Sequence, residues 1–415
     1  MITIKPFKGY RPPNDIAEKV AAVPYDVINI KEASELADGN PFSFLKITRS
    51  EIDLPNDVDV YSQEVYDKAR SSFLEFVKDE KLLQDDEECF YLYKQVMDGK
   101  AQTGIVALSS TDDYTNGLIK KHEFTRPKKE EDRIKNMKTS GIHAGPVFCT
   151  FKKEENIDSW IEKQCSTLKP EVDFTANDSV QHTLWKVSNA EANNELINLF
   201  KTKVPATYIA DGHHRAASST KVAALMANEN ENHNGTESYN YMLTVLFPDD
   251  QLQIIDYNRL VKDLNGLSKA DFLETLKTDF EVAQKNERYK PNSPYHFGLY
   301  IDNEWYELKA KPHTYDINHP IKALDVTVIS DHLLDKVLGI VDQRTDDRID
   351  FVGGIRGLAA LEKRVDSGEF ELAVAIYPVS IQQLIDIADS GNVMPPKSTW
   401  FEPKLRSGLV LHRFA

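Results

Sequence analysis

The sequence predicts an α+β protein with mixed sheets and helices. Hydrophobic periodicity alternates between two-residue and helical spacing along most of the 415 residues, and these two periods distinguish strands from helices. The composition is 41% hydrophobic and 10% aromatic, which provides enough apolar surface for a core and excludes a wholly disordered chain. Because single cores stop growing well below this chain length, we expect more than one domain.

The first half of the chain alternates predicted helices and strands. Residues 60–80 place apolar side chains at helical spacing, and residues 90–96 and 103–110 predict two strands joined by the turn dipeptide Asp98-Gly99 into a hairpin. The same two periods then predict a strand over 146–151, a helix over 156–165, a strand over 182–187 and a helix over 189–201.

The second half continues the alternation. An apolar strand over 207–210 leads into the sequence DGHHR and a helix over 216–227. Further strands are predicted over 240–247, 252–261, 296–301, 305–310 and 371–379, and further helices over 269–280, 326–339 and 381–391. We expect three domains: an N-terminal region 1–120, a core 121–260 carrying HEFT and DGHHR, and a C-terminal region 261–415 carrying PPKSTWFEPK.

The charge and the cysteine content exclude several classes of protein. With 50 Lys plus Arg against 66 Asp plus Glu, the formal net charge is -16, and such a surface repels the nucleic-acid polyanion. The three cysteines are far apart and lack CxxC spacing, which excludes a disulfide framework and a cysteine-rich zinc site. No segment has the length and apolarity of a signal peptide or membrane span, so we expect a cytoplasmic protein without nucleic-acid or membrane partners.

The sequence DGHHR is the sharpest candidate site. Asp211, Gly212, His213, His214 and Arg215 stand at the predicted junction of a strand and a helix. A helix start presents unpaired backbone N–H groups that bind phosphate, and imidazole and guanidinium groups add donors. The alternative is a turn in which Asp211 caps the helix and the histidines are surface residues.

A second candidate cluster lies about 90 residues earlier. His122 and Glu123 offer a general base or a metal ligand beside cations. Lys129 and Arg133 fall one helical turn apart, a spacing suited to capture of a phosphate or carboxylate. A solvated helix rich in ion pairs explains residues 129–138 equally well.

A third candidate is the proline-stiffened segment 394–409. Its cations and hydroxyls, which suit contacts with an anion, are Lys397, Ser398, Thr399 and Lys404. A docked C-terminal tail is the alternative. The N-terminal segments contribute Asp26, Asn40, Lys46 and Arg49, and a structural role is the stronger interpretation of each of these residues alone. On chemical grounds Asp26 is also, with Glu123, a guess for the catalytic base.

Common catalytic signatures are absent from the sequence. It contains no GxGxxG after a first strand, no GxxxxGK[ST], no HExxH and no GxSxG, which disfavours dinucleotide-binding, P-loop, zincin and α/β-hydrolase functions.

Several blocks of the sequence resemble one bacterial and archaeal family. AVPYDVIN, NPFSFLKIT, KKHEFT followed by EEDR, HTLWKV, ADGHHRAAS, DVTVISDHLL and MPPKSTWFEPKLRSGL resemble, in this order, the domain of unknown function 1015 family. The DGHHR block is similar to the nucleotide-phosphate motif of the ParB and sulfiredoxin superfamily, which contains free serine kinases. The resemblance implies a ParB/sulfiredoxin-like core and phosphate contacts from Gly212, His213, His214 and Arg215.

These observations favour a phosphotransferase or phosphatase acting on a small hydroxylated or phosphorylated metabolite. Serine or phosphoserine is the best single guess, because members of the family resemble companions of serine-biosynthesis enzymes. We expect Glu123, His122 or Asp211 to act in proton transfer or metal positioning, and Lys397 and Arg133 to neutralise charge. The expected cofactor is a divalent cation, Mg²⁺ above all, and the expected ligand is a phosphate or amino acid, with a nucleotide as a candidate. The alternative is a non-catalytic, ParB-like nucleotide-binding regulatory protein.

Overall fold

The computed structural model describes residues 1–415 and confirms the mixed α+β class. The α-helices are Asn14–Val20 (α1), Ile30–Ala37 (α2), Leu45–Thr48 (α3), Gln63–Lys78 (α4), Thr111–Thr115 (α5), Pro127–Ser140 (α6), Glu155–Thr167 (α7), Ala190–Lys203 (α8), His213–Glu229 (α9), Lys269–Leu276 (α10), Asp325–Ile329 (α11), Leu358–Asp366 (α12) and Ile381–Asp389 (α13). A π-helical segment, Ser330–Asp335, follows α11 directly.

The strands are mostly short and alternate with these helices. They are Ile4–Lys5 (β1), Tyr10–Arg11 (β2), Leu83–Gln84 (β3), Phe90–Met97 (β4), Lys100–Ser110 (β5), Ile119–Lys120 (β6), Ile142–His143 (β7), Val147–Phe151 (β8), Val172–Thr175 (β9), Gln181–Val187 (β10), Thr207–Asp211 (β11), Tyr241–Pro248 (β12), Gln253–Ile255 (β13), Tyr257–Val261 (β14), Phe280–Lys285 (β15), His296–Ile301 (β16), Glu304–Ala310 (β17), Ile349–Gly353 (β18), Leu372–Ile376 (β19), Trp400–Glu402 (β20) and His412–Arg413 (β21).

The chain forms two compact units that interleave in sequence. Unit 1 contains Met1–Lys120, Thr125–Leu252 and Pro403–Ala415, and unit 2 contains Lys121–Phe124 and Gln253–Glu402. The predicted boundaries near residues 120 and 260 fall close to two points at which the chain leaves unit 1. The C-terminal region predicted as one domain contributes to both units.

Unit 1 contains a nine-stranded mixed sheet. Its order is β6-β11-β8-β12-β5-β4-β10-β9, and β1 pairs with β5 outside this path. The pairs β6 with β11 and β8 with β12 are parallel, and the remaining pairs are antiparallel. The predicted hairpin is confirmed as β4 and β5. Asp98 and Gly99 both have positive φ, 51° and 76°, as a two-residue turn between right-twisted strands requires.

Helices cover the sheet of unit 1 because its strands carry apolar residues on their faces. Trp160 of α7 and Phe200 of α8 are buried with Leu92 of β4 and Leu246 of β12 in one core cluster. Helix α9 packs against α6 through small residues, and the Ser218 hydroxyl donates to the Glu130 carbonyl at 3.1 Å. Small side chains allow such close approach of two helices, so the Ala- and Ser-rich start of α9 determines the position of α6.

Unit 2 is built on a six-stranded antiparallel sheet. Its order is β15-β17-β16-β19-β14-β18. Leu361 and Val365 of α12 are buried with Leu260, Tyr300 and Trp305 in one apolar cluster. No helix of either unit has the length and apolarity needed to cross a membrane.

Two buried histidines join the C-terminal strand β21 to β7 in unit 1. His143 and His412 are register partners, and their Nδ1 atoms lie 3.0 Å apart. Burial lowers the pKa of His143 to about 3. The pKa of His412 also lies well below its ordinary value, because of burial and then of His143 and Lys5. Both rings are therefore neutral at pH 7, and one Nδ1 donates its proton to the other.

This pair predicts a loss of stability on acidification. The folded state binds fewer protons than the unfolded state, whose histidines have a pKa near 6.5. The free energy of unfolding therefore decreases as pH falls from about 6.5 towards 4, with a limiting slope of about 1.4 kcal/mol per pH unit for each histidine. We expect His143→Asn, which does not titrate in this range, to reduce that slope. Urea unfolding between pH 7 and pH 4 measures it.

The matched control is His233→Asn, which removes a partly exposed histidine from a loop of the same unit. We expect this variant to retain the wild-type slope more closely than His143→Asn. An unchanged slope in His143→Asn would show that the buried pair does not govern the acid stability.

Candidate functional site

The junction of β11 and α9 is formed by a glycine in the left-handed region. β11 is buried over Thr207 to Ala210, and Gly212 then adopts φ 94° and ψ 30° before α9 begins at His213. The Gly212 amide donates to Asp211 Oδ1 at 2.8 Å, and the Ala216 amide donates to the Gly212 carbonyl at 3.0 Å. The Ala216 amide thus makes the first hydrogen bond along the helix. The backbone N–H groups of the residues before it point towards the helix start, where N–H groups attract anions.

Arg215 folds back across this junction. Its guanidinium lies so close to Gly212 that a Cβ at that position would be 2.9 Å from Arg215 Nε. Nη1 donates to the Pro146 carbonyl, and Nη2 lies 3.9 Å from Asp211 Oδ2. Nε is buried and has no hydrogen-bond partner within the protein. Burial acts to lower the pKa of Arg215, but the charges of Asp26 and Asp211 outweigh it and the pKa is raised.

Lys404 comes to the same junction from the C-terminal segment. Its Nζ lies 3.1 Å from Asp211 Oδ2, and its side chain is 13% exposed. Its carbonyl accepts a hydrogen bond of 2.9 Å from Gln95 Nε2 on β4. Burial acts to raise the pKa of Asp211, but Lys404 and Arg215 outweigh it and hold the carboxyl well below its usual range. Asp211 is therefore an ionised anchor with both oxygens hydrogen-bonded.

Arg133 adds a further cation through the N-terminal loop. Its guanidinium lies 4.3 Å from the centre of the Tyr25 ring and donates to Asp132 Oδ2 through Nε and Nη2 at 2.9 and 2.6 Å. The Tyr66 hydroxyl donates to the other oxygen of Asp132 at 2.8 Å. Burial raises the pKa of Tyr25 to about 12, and the charges of Arg133, Asp26 and Arg215 also act on it. Tyr25 thus contacts the Arg133 guanidinium and lies within electrostatic range of Arg215.

The two histidines of DGHHR make different contacts. His214 Nε2 accepts a hydrogen bond of 3.0 Å from the Arg126 amide, so this nitrogen carries no proton. Arg126 is the N-cap of α6, and His214 therefore helps to fix the start of that helix. His213 is buried, and its charge is among the causes that lower the pKa of Asp211.

The other predicted site residues belong to unit 2. His122 is buried, and its Nε2 lies 3.4 Å from Thr399 Oγ1. The Ser398 hydroxyl donates to the Pro395 carbonyl at 2.6 Å, which stabilises the turn of the PPKSTW segment. Lys397 has φ 59°, and its Nζ lies 5.8 Å from the centre of the Tyr257 ring. Glu123 lies next to His122 and is partly buried.

The structure therefore places the predicted residues in two groups. Unit 1 brings together Asp211, Gly212, Arg215 and Lys404, with Arg133 linked through Tyr25. Unit 2 brings together His122 and Thr399.

Tyr25 was missed at this site, whereas the sequence argument favoured a structural role for Asp26 alone and also named it as a guess for the catalytic base. The only local signal for either residue was the proline-flanked sequence VPYDV, because their contacts are made across the fold.

The fold is α+β, and the junction of β11 and α9 brings Arg215 and Lys404 to the start of a helix. The chain belongs to the family described as Protein of unknown function (DUF1015), whose model matches residues 4–327. The resemblance seen in the sequence is thereby confirmed at the level of the family. The ParB-like character of DGHHR remains a prediction.

Several solved structures are distantly similar to this chain. A conserved hypothetical protein from Pyrococcus furiosus is 16% identical with a TM-score of 0.37, covering 73% of this chain and 93% of its own. A free serine kinase in complex with AMP is 16% identical with a TM-score of 0.38, covering 74% and 91%. SbnI with a C-terminal truncation, from Staphylococcus aureus, is 12% identical with a TM-score of 0.36, covering 73% and 85%. Likeness of this degree establishes no shared activity. Among curated proteins, no sequence matches this chain.

The crowding at Gly212 predicts a specific cost of adding a methyl group. An L-residue with positive φ costs about 1 to 2 kcal/mol, and the new Cβ would also meet Arg215 Nε. The control is Gly235→Ala, since Gly235 has φ 90° and no atom lies within 4 Å of its Cβ position. We expect Gly212→Ala to lower the free energy of unfolding by at least about 1 kcal/mol more than the control. Equal losses in urea unfolding would contradict the placement of the guanidinium.

Proposed function

We propose that unit 1 binds a phosphate group at the start of α9 and that the protein is a phosphotransferase or phosphatase for a small hydroxylated or phosphorylated metabolite. Serine or phosphoserine is the best single guess. The observation that carries the proposal is the buried Arg215 guanidinium, whose Nε has no protein partner beside a left-handed glycine at a helix start. Such a donor suits a phosphate oxygen, and the positive end of a helix dipole favours a negative charge at the same place.

The charges around the junction limit how much negative charge it can hold by itself. Its Arg and Lys side chains are matched by an equal number of carboxylates, namely Arg133, Arg215 and Lys404 against Asp26, Asp132 and Asp211. Apart from His213, whose charge also acts on Asp211, the group therefore has no excess positive charge of its own. A polyphosphate would add uncompensated negative charge, so further neutralisation must come with the ligand.

A divalent cation bound with the phosphates would supply that neutralisation. The chain presents no group of three or more His, Cys, Asp or Glu side chains placed to hold a metal ion, but Mg²⁺ is commonly held by one or two carboxylates together with substrate phosphates. Asp26 fits this role, because it is exposed and lies within electrostatic range of Arg215. Asp211 fits it less well, since its oxygens already accept from Gly212 and Lys404.

Phosphoryl transfer also needs a group that takes the proton of the acceptor hydroxyl. As the new bond from oxygen to phosphorus forms and the bond to the leaving oxygen breaks, that proton passes to a carboxylate. Asp26 is the favoured base within unit 1 when the ligand's phosphates alone hold the metal, because its charge acts on both Arg215 and Tyr25. Glu123, beside His122, is the rival base and belongs to a separate proposed site within unit 2, with Lys397, Ser398 and Thr399 as its ligand contacts.

The phosphate site predicts that Lys404→Gln weakens nucleotide binding. Loss of one charge-assisted hydrogen bond corresponds to a rise of roughly 10- to 100-fold in Kd. Calorimetric titration with ATP and ADP measures it, and circular dichroism checks the fold. The control is Lys138→Gln, which removes a cation paired with Glu229 on the surface of the same unit. The same affinity in both variants would remove the junction as the phosphate site.

The choice of base predicts different turnover for two isosteric variants. We expect Asp26→Asn to lose about 100-fold or more in turnover, the usual range for removal of a general base, while Glu123→Gln retains most activity. ADP formation from ATP with a panel of hydroxylated metabolites that includes L-serine is the measurement. The opposite result would assign the base to Glu123. Nucleotide binding without turnover on any acceptor would favour the nucleotide-binding regulatory protein instead.

A further inference from the structure

A second concave site lies within unit 1, at a cavity of about 400 Å³. This volume is within the range of small-molecule sites in proteins. Much of its wall is apolar, from Ala22, Val23, Leu45 and Ala176. One buried cation, Arg406, reaches the same wall, and Asp178 stands beside it.

Part of the Arg406 side chain is bound within the protein, and part of it is accessible to solvent. Its amide donates to the Tyr93 hydroxyl at 3.4 Å, and Nη2 donates to Asp178 Oδ2. Its side chain is only 8% exposed. Nε and Nη1 make no hydrogen bond within the protein, and neither atom is sealed from solvent. Because the residue lines the cavity, these donors are available to a molecule inside it.

The backbone around Arg406 is fixed by a buried polar chain. The Tyr93 hydroxyl lies 2.7 Å from His182 Nδ1, and burial, then Arg406, lower the pKa of His182 to about 3. The imidazole is therefore neutral, and the ring stacks on Phe174 at 5.1 Å between centres. This packing limits the movement of the Arg406 backbone, so the guanidinium is presented to the cavity in a set orientation.

We propose that this cavity binds the carboxylate of a small organic acid through Arg406. A guanidinium presents parallel N–H groups that match the two oxygens of a carboxylate. The charged side chains at the wall already cancel, with Glu18 and Asp178 against Lys19 and Arg406, so one added negative charge is favoured over the two of a phosphate. The apolar wall suits a short carbon skeleton, and no phosphoryl transfer is needed for this binding.

The bound acid has one of two roles in relation to the proposed reaction. The segments that line the cavity continue towards the phosphate site, because Val23 precedes Tyr25 and Arg406 follows Lys404 by two residues. Ala22 and Ser407 also exchange backbone hydrogen bonds of 3.0 and 2.8 Å between these segments. The bound acid is thus either the acceptor of the proposed reaction or a regulator that is not consumed.

Calorimetric titration of the full-length protein tests the proposal. The probes are D-glycerate and L-serine, each compared with a counterpart that lacks the carboxylate, glycerol and L-serinamide. We expect binding of at least one acid and none of its counterpart. Arg406→Gln should weaken that binding roughly 10- to 100-fold, as for loss of a charge-assisted hydrogen bond. No binding of either acid at 10 mM, about ten times the weak end of ordinary ligand affinity, or equal binding by the wild type and Arg406→Gln, would overturn the proposal.

Asp178→Asn separates a ligand site from a purely structural ion pair. Removing the competing carboxylate should tighten binding of the acid up to about 5-fold, the scale of an exposed ion pair. If the ion pair is purely structural, Asp178→Asn and Arg406→Gln should both weaken binding. Arg413→Gln, which removes an exposed cation from the same segment, should leave binding unchanged.

Transfer of labelled phosphate from ATP to the bound acid would identify an acceptor, and binding without labelling would identify a regulator. Both results are independent of whether turnover is found with other metabolites.

Discussion

The ion pair between Lys404 and Asp211 is the contact that fixes the geometry of unit 1. Its partners stand 193 positions apart in sequence, and neither is left in the interior without an opposite charge. Removing one member of such a pair costs more than the pair itself contributes, because the other is stranded away from water. The start of α9 and the segment Pro403–Ala415 are therefore positioned together. Two residues after Lys404, the same segment delivers Arg406 to the cavity wall.

Buried charged side chains in unit 1 are neutralised or hydrogen-bonded by a few neighbouring side chains. Asp85 illustrates the pattern away from the site, since it accepts from Arg11, Tyr91 and Lys186. At the junction of β11 and α9, the buried Arg215 Nε has no hydrogen-bond partner within the protein. An acidic protein can in this way hold an anion at one point, because a desolvated guanidinium acts over a short range that the distant surface charge does not cancel.

Local patterns predicted the local structure, and contacts across the fold account for the differences. The Asp98-Gly99 hairpin and the strand-to-helix turn at Gly212 follow from the backbone needs of a few neighbouring residues. The single strand expected over 252–261 is divided after Ile255, because β13 pairs with β20 whereas β14 pairs with β18 and β19. The proximity of Asp26 to Arg215 depends on residues far apart in sequence, so no spacing rule could detect it.

The interleaving of the two units has a consequence for synthesis on the ribosome. Chains emerge from the N-terminus onwards, and regions fold as their residues become available. Most of unit 2 is the continuous stretch Gln253–Glu402, whereas unit 1 requires Pro403–Ala415. The strands of the nine-stranded sheet all precede residue 253, but some 150 later residues are translated before Lys404 can neutralise Asp211. During that interval Asp211 lacks the charge of Lys404, and the proposed phosphate site is completed only after translation has passed the second unit.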